Sequence, residues 1–329
     1  MDKKLKINTK GIFIEADLDS MYVILGEPIQ KNQDSKELNI MVSEESKRHT
    51  IMSYTTELET LKLIFQNMTL RSSSLTNTNL NDTMEKSRVD VSQFAGSRFI
   101  ACFCHNDQEK VPFWNLYGKK IKKNKVLLQF ENFAVDLDKY LWTDYVFVND
   151  GKKCFFQSND YWEYLKKSLS QTEETAIDDE YDIRTCIDTL QVFDVKYVPV
   201  DSPTFSEANS GPMTINFDKV SGNKNELIQI KGFNPTVLGK EKSNAWDYEE
   251  ETRIMCNLHN QMFSEWNYID LRLKPEFFRN LKIILSPWDE GELSSIISDI
   301  IERSSLPQDI KESITISDSG LKGTINFED

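Results

Sequence analysis

The sequence contains none of the short motifs that identify the common nucleotide-binding and hydrolytic enzymes. It has no Gly-x-Gly-x-x-Gly turn, no Walker-type phosphate loop, no His-Glu-x-x-His zinc motif and no Gly-x-Ser-x-Gly nucleophile turn. Histidine is scarce, and none of the three (His49, His105 and His259) has a neighbour at metal-ligand spacing. The sequence therefore gives no support to a Rossmann dehydrogenase, a P-loop NTPase, a zinc metalloprotease or a serine hydrolase.

Cysteine is also sparse, and its spacing is irregular. The chain has five cysteines and no Cys-x-x-Cys pair, which argues against a zinc ribbon or a redox motif. Cys102, Cys104 and His105 are close enough in sequence to suggest metal ligands, but no second ligand cluster completes the set. We therefore predict buried free thiols and no metal.

Long apolar runs are missing, and the net charge is strongly negative. No stretch of 18 apolar residues occurs, and residues 1–9 are charged, so we expect neither a membrane span nor a secretory signal. Free thiols together with these absences predict a cytoplasmic protein. The formal net charge of −14 argues against binding of extended nucleic acid, whose phosphates select basic surfaces.

The pattern of strands and helices predicts an α+β fold. Helix-like and strand-like segments alternate, but no regular βαβ repeat appears, which favours a mixed or split, largely antiparallel sheet flanked by helices. We divide the chain into N-terminal accessory strands (1–50), a main α+β domain (51–305) and C-terminal strands or a tail (306–329). The clearest helix is predicted over 289–303, where apolar residues recur with helical spacing. Further helices are predicted over 55–68, 159–169 and 178–190.

The late acidic segment is the most distinctive candidate site. A strand starting near Glu249 would place Glu249, Glu251 and Arg253 on one face, because alternate side chains of a strand share a face. Two carboxylates beside a guanidinium could hold a substrate sugar and influence each other's ionisation. The other interpretation is an acidic turn in which Arg253 pairs with Glu251 or another carboxylate.

Three other segments carry candidate binding residues. The first runs from Ser53-Tyr54-Thr55 into a predicted helix and on to Arg71-Ser72, the second is the loop with Asn81, Asp82 and Glu85, and the third contains Trp114 and Tyr117. These residues have structural interpretations too. Asn and Asp often hydrogen-bond to nearby backbone in loops, and the two aromatic residues could belong to the core.

Taken together, these segments resemble the bacterial family called domain of unknown function 2971. The resemblance rests on the following positions: Tyr54 with Thr55; Asn81, Asp82 and Glu85; Cys102 with Phe103; Trp114 with Tyr117; and Trp246, Tyr248, Glu249, Glu251 and Arg253. Their order and spacing cover about residues 51–303.

The same segments are also similar, more weakly, to ADP-ribosyltransferase-like folds. That resemblance implies NAD as a substrate, with Tyr54 and Glu251 or Glu249 as catalytic residues. In such a site Glu251 would hydrogen-bond the ribose 2′-hydroxyl and stabilise an oxocarbenium-like transition state. The resemblance further assigns a cofactor-binding role to a larger set of residues: Ser53, Thr55, Arg71, Ser72, Asn81, Asp82, Trp114, Tyr117 and Arg253.

Two functions follow as hypotheses. The first is an NAD-consuming enzyme, either an ADP-ribosyltransferase or an NAD glycohydrolase, that acts as a toxin or phage-defence effector. The second is a non-enzymatic module of a bacterial defence or toxin–antitoxin system, which binds a small nucleotide ligand or a protein partner. The catalytic hypothesis depends on Tyr54 and the Glu249/Glu251 pair facing a common cavity. A structure that shows whether Tyr54, Arg71, Trp114 and Glu251 line one cleft tests it.

Overall fold

The structure is a computed structural model, and it describes most of the chain outside the N-terminal region and several connecting segments. The described residues are 4–9, 12–17, 39–76, 80, 82, 83, 85, 86, 95–106, 108–116, 122–134, 137–148, 151–156, 186–199, 212–216, 227–231, 238–258 and 266–324. The chain forms two compact units, a smaller one of Met1–Ser35 with Asp201–Asn234 and a larger one of Lys36–Val200 with Pro235–Asp329.

The described residues form strands, α-helices and short 3-10 helices. The strands are β1 (Lys4–Thr9), β2 (Ile12–Asp17), β3 (Asn39–Val42), β4 (Ile51–Glu57), β5 (Thr69–Ser74), β6 (Arg98–Cys104), β7 (Lys125–Glu131), β8 (Tyr145–Val148), β9 (Lys153–Phe155), β10 (Ile187–Asp194), β11 (Lys196–Val198), β12 (Pro212–Asn216), β13 (Leu227–Lys231), β14 (Glu241–Ser243), β15 (Glu251–Leu258), β16 (Tyr268–Arg272), β17 (Lys282–Leu285) and β18 (Thr315–Ser317). The α-helices are α1 (Leu58–Asn67), α2 (Val111–Leu116), α3 (Leu137–Tyr140), α4 (Leu293–Arg303) and α5 (Gln308–Ser313). The 3-10 helices are Ser46–Arg48, Ala95–Ser97, Lys122–Asn124, Asn244–Glu249 and Pro275–Phe278.

In the smaller unit, the described residues form two antiparallel strand pairs. β1 pairs with β2, and β12 pairs with β13. Apolar and polar residues alternate along β1, as in Lys4-Leu5-Lys6-Ile7, which is the pattern of a strand with two unlike faces.

A twelve-stranded sheet dominates the larger unit. Its main path runs β18-β17-β7-β4-β6-β5-β16-β8-β9, and β15, β10 and β3 extend from β6 as a branch. The β3–β10 and β17–β18 pairs are parallel, and the other pairs in this sheet are antiparallel. This confirms the predicted α+β class with a mixed, largely antiparallel sheet.

The sheet splits at β6. One edge of β6 pairs with β15 along its whole length, from Glu251 opposite Cys104 to Asn257 opposite Arg98. The other edge is divided, because β4 pairs only at Cys104 and β5 only at Phe99 and Ile100. The strands β4 and β5 are joined by α1, so the helix connects the two arms of the split.

The two faces of the sheet differ in what covers them. Tyr54 and Phe103 lie on what we call the core face, where helices α1, α3, α4 and α5 supply buried apolar side chains. Ser53, Cys104 and Glu251 lie on the opposite face, because directly paired residues of neighbouring strands point the same way. A smaller apolar cluster around Trp114 of α2 lies beside Leu127 and Ile284 on this opposite face. No helix among the described residues is both long and apolar enough to cross a membrane.

Two helix predictions need correction. The helix predicted over 55–68 begins only at Leu58, because residues 51–57 pair with β7 as far as Glu57, so Thr56 is part of a strand and Glu57 is the N-cap. The helix predicted over 178–190 is contradicted in its last part. Residues 187–190 belong to β10, which is held between β15 and β3. The prediction over 159–169 lies outside the described residues.

The compact units also differ from the predicted domain boundaries. Residues 39–42 were predicted to belong to an N-terminal accessory segment, but β3 pairs with β10 in the large sheet. The C-terminal segment, predicted as strands or a tail, contributes the strand β18, which pairs with β17. Strand pairing over long sequence distances overrides the local composition from which those boundaries were drawn.

Candidate functional site

Five charged side chains form a buried network on the opposite face, at the start of β15. We call this set, Glu85, Lys242, Glu249, Glu251 and Arg253, the ionic network. The ammonium Nζ of Lys242 lies 2.5 Å from Glu249 and 2.9 Å from Glu251. Arg253 Nε lies 2.7 Å from Glu251 Oε1, and its Nη1 and Nη2 donate to Glu85. Three carboxylates therefore share two cations.

The backbone completes the surroundings of Arg253. Its Nη1 also donates to the carbonyl oxygen of Gly239 at 2.7 Å. Gly239 has φ +76, and a Cβ at this position would lie 2.9 Å from Cε of Met255 and 3.1 Å from Cδ1 of Leu75. Glycine is thus required here for its backbone conformation and for the close approach of these side chains.

The network favours the ionised form of Glu251. Burial alone would raise the pKa of Glu251, but the positive charges of Arg253 and Lys242, with hydrogen bonds from Arg253 and Cys102, lower that pKa to about 2. Burial opposes the charged form of Lys242 too, yet the charges of Glu251 and Glu249 raise the pKa of its ammonium group. A carboxylate held in this way is an anion at neutral pH and a poor general acid.

The late acidic segment contains an ion pair, which agrees with the second of the two interpretations given for it. Arg253 pairs with Glu251, as that interpretation stated, and additionally with Glu85 from the early loop. Glu249 belongs to the 3-10 helix rather than to β15, and it reaches the same place through Lys242. Glu251 is only 5% exposed, and Arg253 is 0% exposed.

A second feature, an open cleft, lies at the same end of β15. It has a volume of about 430 Å³ and is lined by polar side chains, including Arg48, His49, His105, Asn106, Gln108 and Glu250. We call it the histidine cleft. The side chains of β15 alternate, so Glu251 enters the ionic network while Thr252 points to the other side of the sheet, toward His105.

His49, His105 and Asp194 form a compact cluster at this cleft. His49 Nε2 lies 2.7 Å from Asp194 Oδ2, and His105 Nδ1 lies 3.9 Å from Asp194 Oδ1. The two imidazole rings are stacked, with centroids 3.9 Å apart and planes within 8°. Ser46 Oγ and Thr252 Oγ1 each donate to Asp194 Oδ1 at 2.7 Å.

The pKa values of Asp194 and His105 are both lowered in this cluster. Burial raises the pKa of Asp194, but hydrogen bonds from His49, Ser46 and Thr252 outweigh that effect and lower the pKa. Burial and the neighbouring His49 lower the pKa of His105. The ionised carboxylate of Asp194 orients His49, and His105 favours its neutral form. Such a cluster can accept a proton or bind a cation.

The acidic side chain of Glu250 at the cleft is compensated. Lys110 Nζ lies 2.6 Å from Glu250 Oε2, and Asn106 Nδ2 donates to the same oxygen. Glu250 has φ +45, so its backbone turns sharply between the 3-10 helix and β15. At this turn Glu250 lines the cleft, while its neighbours Glu249 and Glu251 both enter the ionic network.

Tyr54 does not share a cavity with Glu251, which corrects the arrangement required by the catalytic prediction. The Tyr54 ring packs against Phe103 on the core face, with ring centroids 5.3 Å apart. Glu251 pairs with Cys104 and therefore points to the opposite face. Burial raises the pKa of Tyr54 to about 12, so its hydroxyl remains protonated at neutral pH.

The other predicted binding residues of β4 and β5 are dispersed. Ser53 is buried, and its Oγ donates to the carbonyl oxygen of Asn106 at 2.9 Å. Thr55 is half-buried on the same face as Ser53. Arg71 is exposed, where it makes two hydrogen bonds to Asp270 and stacks on Tyr268, and Ser72 is fully buried. These residues do not line the histidine cleft.

The early loop is partly joined to the ionic network. Asp82 Oδ2 accepts a hydrogen bond of 2.6 Å from the backbone N–H of Ser243, which precedes the 3-10 helix with Glu249. Asn81 and Tyr117 lie outside the described residues. Trp114 is buried in the smaller apolar cluster, as expected for a core aromatic, and its indole Nε1 has no hydrogen-bond partner among the residues that the structure describes.

The sequence alone does not predict the histidine cleft. Its cluster is assembled from three segments, and His49 and Asp194 are separated by 145 positions. Neither histidine has a local motif, so only the pairing of β10 and β6 with β15 reveals the cluster.

Comparisons with protein-family models, with curated proteins and with solved structures found no match to this chain. The resemblance to the domain of unknown function 2971 family and to ADP-ribosyltransferase-like folds therefore stays a prediction.

Proposed function

We propose that this chain is a ligand-binding module, and that the histidine cleft holds a small anionic ligand of the nucleotide class. The observation that carries the proposal is the cleft itself, because its volume of about 430 Å³ falls within the range of small-molecule sites and its polar walls come from distant segments. The non-enzymatic hypothesis accounts for this cleft without assigning catalysis to buried, charge-compensated residues.

The acidic side chains at the cleft are already paired or hydrogen-bonded, so they do not exclude an anion. The carboxylate of Glu250 is paired with Lys110, and that of Asp194 accepts three hydrogen bonds. The exposed side chains of Arg48 and Gln108 add N–H donors to the lining. Guanidinium groups suit phosphates because they donate in a planar, bidentate geometry.

Calorimetric titration tests the proposal with AMP, ADP, ATP, ADP-ribose and NAD as probes. We expect one of them to bind, and we expect Arg48→Ala to weaken its binding by about ten- to 100-fold, since a hydrogen bond to a charged group contributes about 1.5–3 kcal/mol. Arg303→Ala is the matched control, because Arg303 is exposed on α4 and pairs with Asp299. The absence of binding by all five probes, or an equal loss in the control, would count against a nucleotide ligand.

The module would act in the cytoplasm as part of a bacterial defence or toxin–antitoxin system. The described cysteines are free thiols, which suits a reducing compartment. A pull-down with the intact chain, in which Arg48→Ala is compared with Arg303→Ala, tests whether a protein partner uses the same surface. A partner that binds wild type tightly without any turnover of nucleotide would support the module.

An NAD-consuming enzyme is the second candidate. Because Tyr54 lies on the core face, this candidate keeps Glu251 as the catalytic residue and no longer includes Tyr54. One observation favours it: Glu85 meets Glu249, Glu251 and Arg253 of the resembling segments in the ionic network, although 168 positions separate Glu85 from Arg253. In this candidate the anionic Glu251 would accept a hydrogen bond from the ribose 2′-hydroxyl, and the protein would act as a toxin or phage-defence effector.

Loss of NAD, followed by chromatography, separates the two candidates. The enzyme hypothesis predicts that wild type consumes NAD, that Glu251→Gln abolishes consumption and that Glu250→Gln retains it. Circular dichroism must show that each variant is folded, because Glu251 is also part of the ionic network. An inactive wild-type protein would remove the enzyme hypothesis.

A further inference from the structure

The cluster of His49, His105 and Asp194 has the composition of a metal site, and its donor atoms lie close together. One donor atom from each residue lies within 4.8 Å of the donor atoms of the other two. The three come from separate elements: His49 follows the 3-10 helix Ser46–Arg48, His105 follows β6, and Asp194 ends β10. The fold thus brings together three side chains of types that bind transition metals.

The exposure of the cluster suits a site with open coordination positions. The side chains of His49, His105 and Asp194 are each about one-fifth exposed, and both histidines line the histidine cleft. A site with two imidazoles and one carboxylate leaves at least one position for water or a ligand, as in many catalytic metal sites.

Outer hydrogen bonds already orient the carboxylate. Ser46 Oγ and Thr252 Oγ1 both donate to Oδ1 of Asp194, while its Oδ2 is the oxygen nearest His49. Partners of this kind fix ligating carboxylates and are a regular part of metal sites. The cluster contains one carboxylate and two imidazoles, and Glu250 with its partner Lys110 forms an ion pair at the cleft.

The stacked histidines include at least one ring that can act as a metal ligand. Two imidazolium ions would repel each other at a centroid distance of 3.9 Å, so at least one ring is neutral and has a free lone pair. In a tetrahedral zinc site, metal–nitrogen bonds of about 2.0–2.1 Å place neighbouring donors about 3.3 Å apart. His105 Nδ1, now 3.9 Å from Asp194, would need to approach and exchange its contact with Thr252 for the metal.

We propose that His49, His105 and Asp194 bind a divalent transition-metal ion, with zinc as the first candidate and with its open coordination facing the histidine cleft. The proposal goes beyond the nucleotide-binding function and does not depend on it. A bound metal would add a positive charge to the cleft wall and an open position that phosphate oxygens can occupy.

Metal titration of the full-length, untagged protein tests this site directly. After treatment with EDTA and its removal, Zn²⁺ is titrated in competition with a chromophoric chelator, and Co²⁺ is followed by its visible absorption. We expect one ion per chain, and we expect His49→Ala, His105→Ala and Asp194→Asn each to weaken zinc binding by about 100-fold or more. Circular dichroism and the thermal midpoint without metal establish that each variant is folded.

The remaining histidine is the matched control. His259 is the only other histidine in the chain, so His259→Ala removes the same chemical group and should bind zinc like wild type. Zinc should raise the thermal midpoint of wild type and His259→Ala but not that of His105→Ala, because only a folded site with all ligands is stabilised by the ion.

Three results would overturn the proposal. The first is no stoichiometric binding of Zn²⁺ or Co²⁺ by wild type, and the second is an equal loss of binding in His259→Ala. The third is loss of binding in Cys102→Ser while His49→Ala still binds, which would assign the metal to thiols. None of these measurements uses a nucleotide, so a failure here is distinct from a failure of the proposed ligand.

Discussion

Arg253 is fully buried and contacts Glu85, Glu251 and the carbonyl oxygen of Gly239. Replacement by methionine keeps much of its length but leaves the buried carboxylate of Glu85 without its cation and that of Glu251 with Lys242 alone. We expect Arg253→Met to lower the free energy of unfolding by about 3–5 kcal/mol, the usual cost of removing one partner from a buried ion pair. Urea denaturation followed by circular dichroism measures the change.

Arg303 provides the comparison for that experiment. Arg303 pairs with Asp299 one turn away on α4, and both side chains are more than half exposed. Exposed pairs of this kind contribute about 0–1 kcal/mol, so Arg303→Met should leave the urea midpoint almost unchanged. Equal midpoints for the two variants would show that the ionic network does not stabilise the fold.

The pKa of Glu251 implies acid sensitivity with a definite sign. Its folded pKa is about 2 against an ordinary value of 4.5, so between these pH values the unfolded chain binds the extra proton. The stabilisation is therefore complete above about pH 4.5 and is lost as the pH falls toward 2. At about 1.4 kcal/mol per pKa unit, the contribution is about 3 kcal/mol.

Urea unfolding between pH 6 and pH 2.5 tests this dependence. The difference in unfolding free energy between wild type and Glu251→Gln should shrink as the pH falls below 4.5. Glu302→Gln, which changes an exposed carboxylate on α4, should follow wild type throughout. A difference for Glu251→Gln that stays constant with pH would contradict the lowered pKa.

Among the elements, helix α4 offers a matched pair of positions for measuring core packing. Ile297 is 0% exposed in the main core, and its neighbour Ile296 is 41% exposed. Ile297→Ala should lower the free energy of unfolding by about 2–5 kcal/mol because it leaves a cavity, whereas Ile296→Ala should change it by about 0.5 kcal/mol or less. Thermal or urea unfolding of the two variants compares the same substitution at an exposed and at a buried position of one helix.

Elements with strong local patterns could be predicted from the sequence. α4 lies within the helix predicted over 289–303, because its apolar residues recur with helical spacing. The start of α1 and the identity of residues 187–190 could not be predicted. Their conformations are set by pairing with β7 and β15, which are distant in sequence.

The candidate site could be predicted from the sequence only where the alternation of side chains along one strand determines which residues share a face. The shared face of Glu251 and Arg253 follows from their spacing, and the structure pairs them. The opposed positions of Tyr54 and Glu251 depend on the register of β4, β6 and β15, which a single sequence does not specify. The histidine cleft depends on the same register.

At the scale of the whole molecule, the larger unit holds the main hydrophobic core as far as the structure describes it. Among the residues whose burial is described, those of the principal cluster lie within 36–200 or 235–329, and the twelve-stranded sheet is formed from the same ranges. We therefore expect a chain without residues 1–35, with a Gly/Ser linker in place of residues 201–234, to keep one cooperative urea transition. Its midpoint should be near that of the full-length protein.

Removal of the C-terminal segment is the contrasting change. Residues 306–329 supply buried Leu306 and Ile310 to the core and β18 to the sheet, so their deletion should abolish or sharply weaken the transition. Loss of each buried aliphatic side chain costs about 2–5 kcal/mol, which is large compared with the usual stability of a domain of about 5–15 kcal/mol. If the first truncation unfolds while the C-terminal deletion remains cooperative, the smaller unit rather than the C-terminal strand is required for the fold of the larger one.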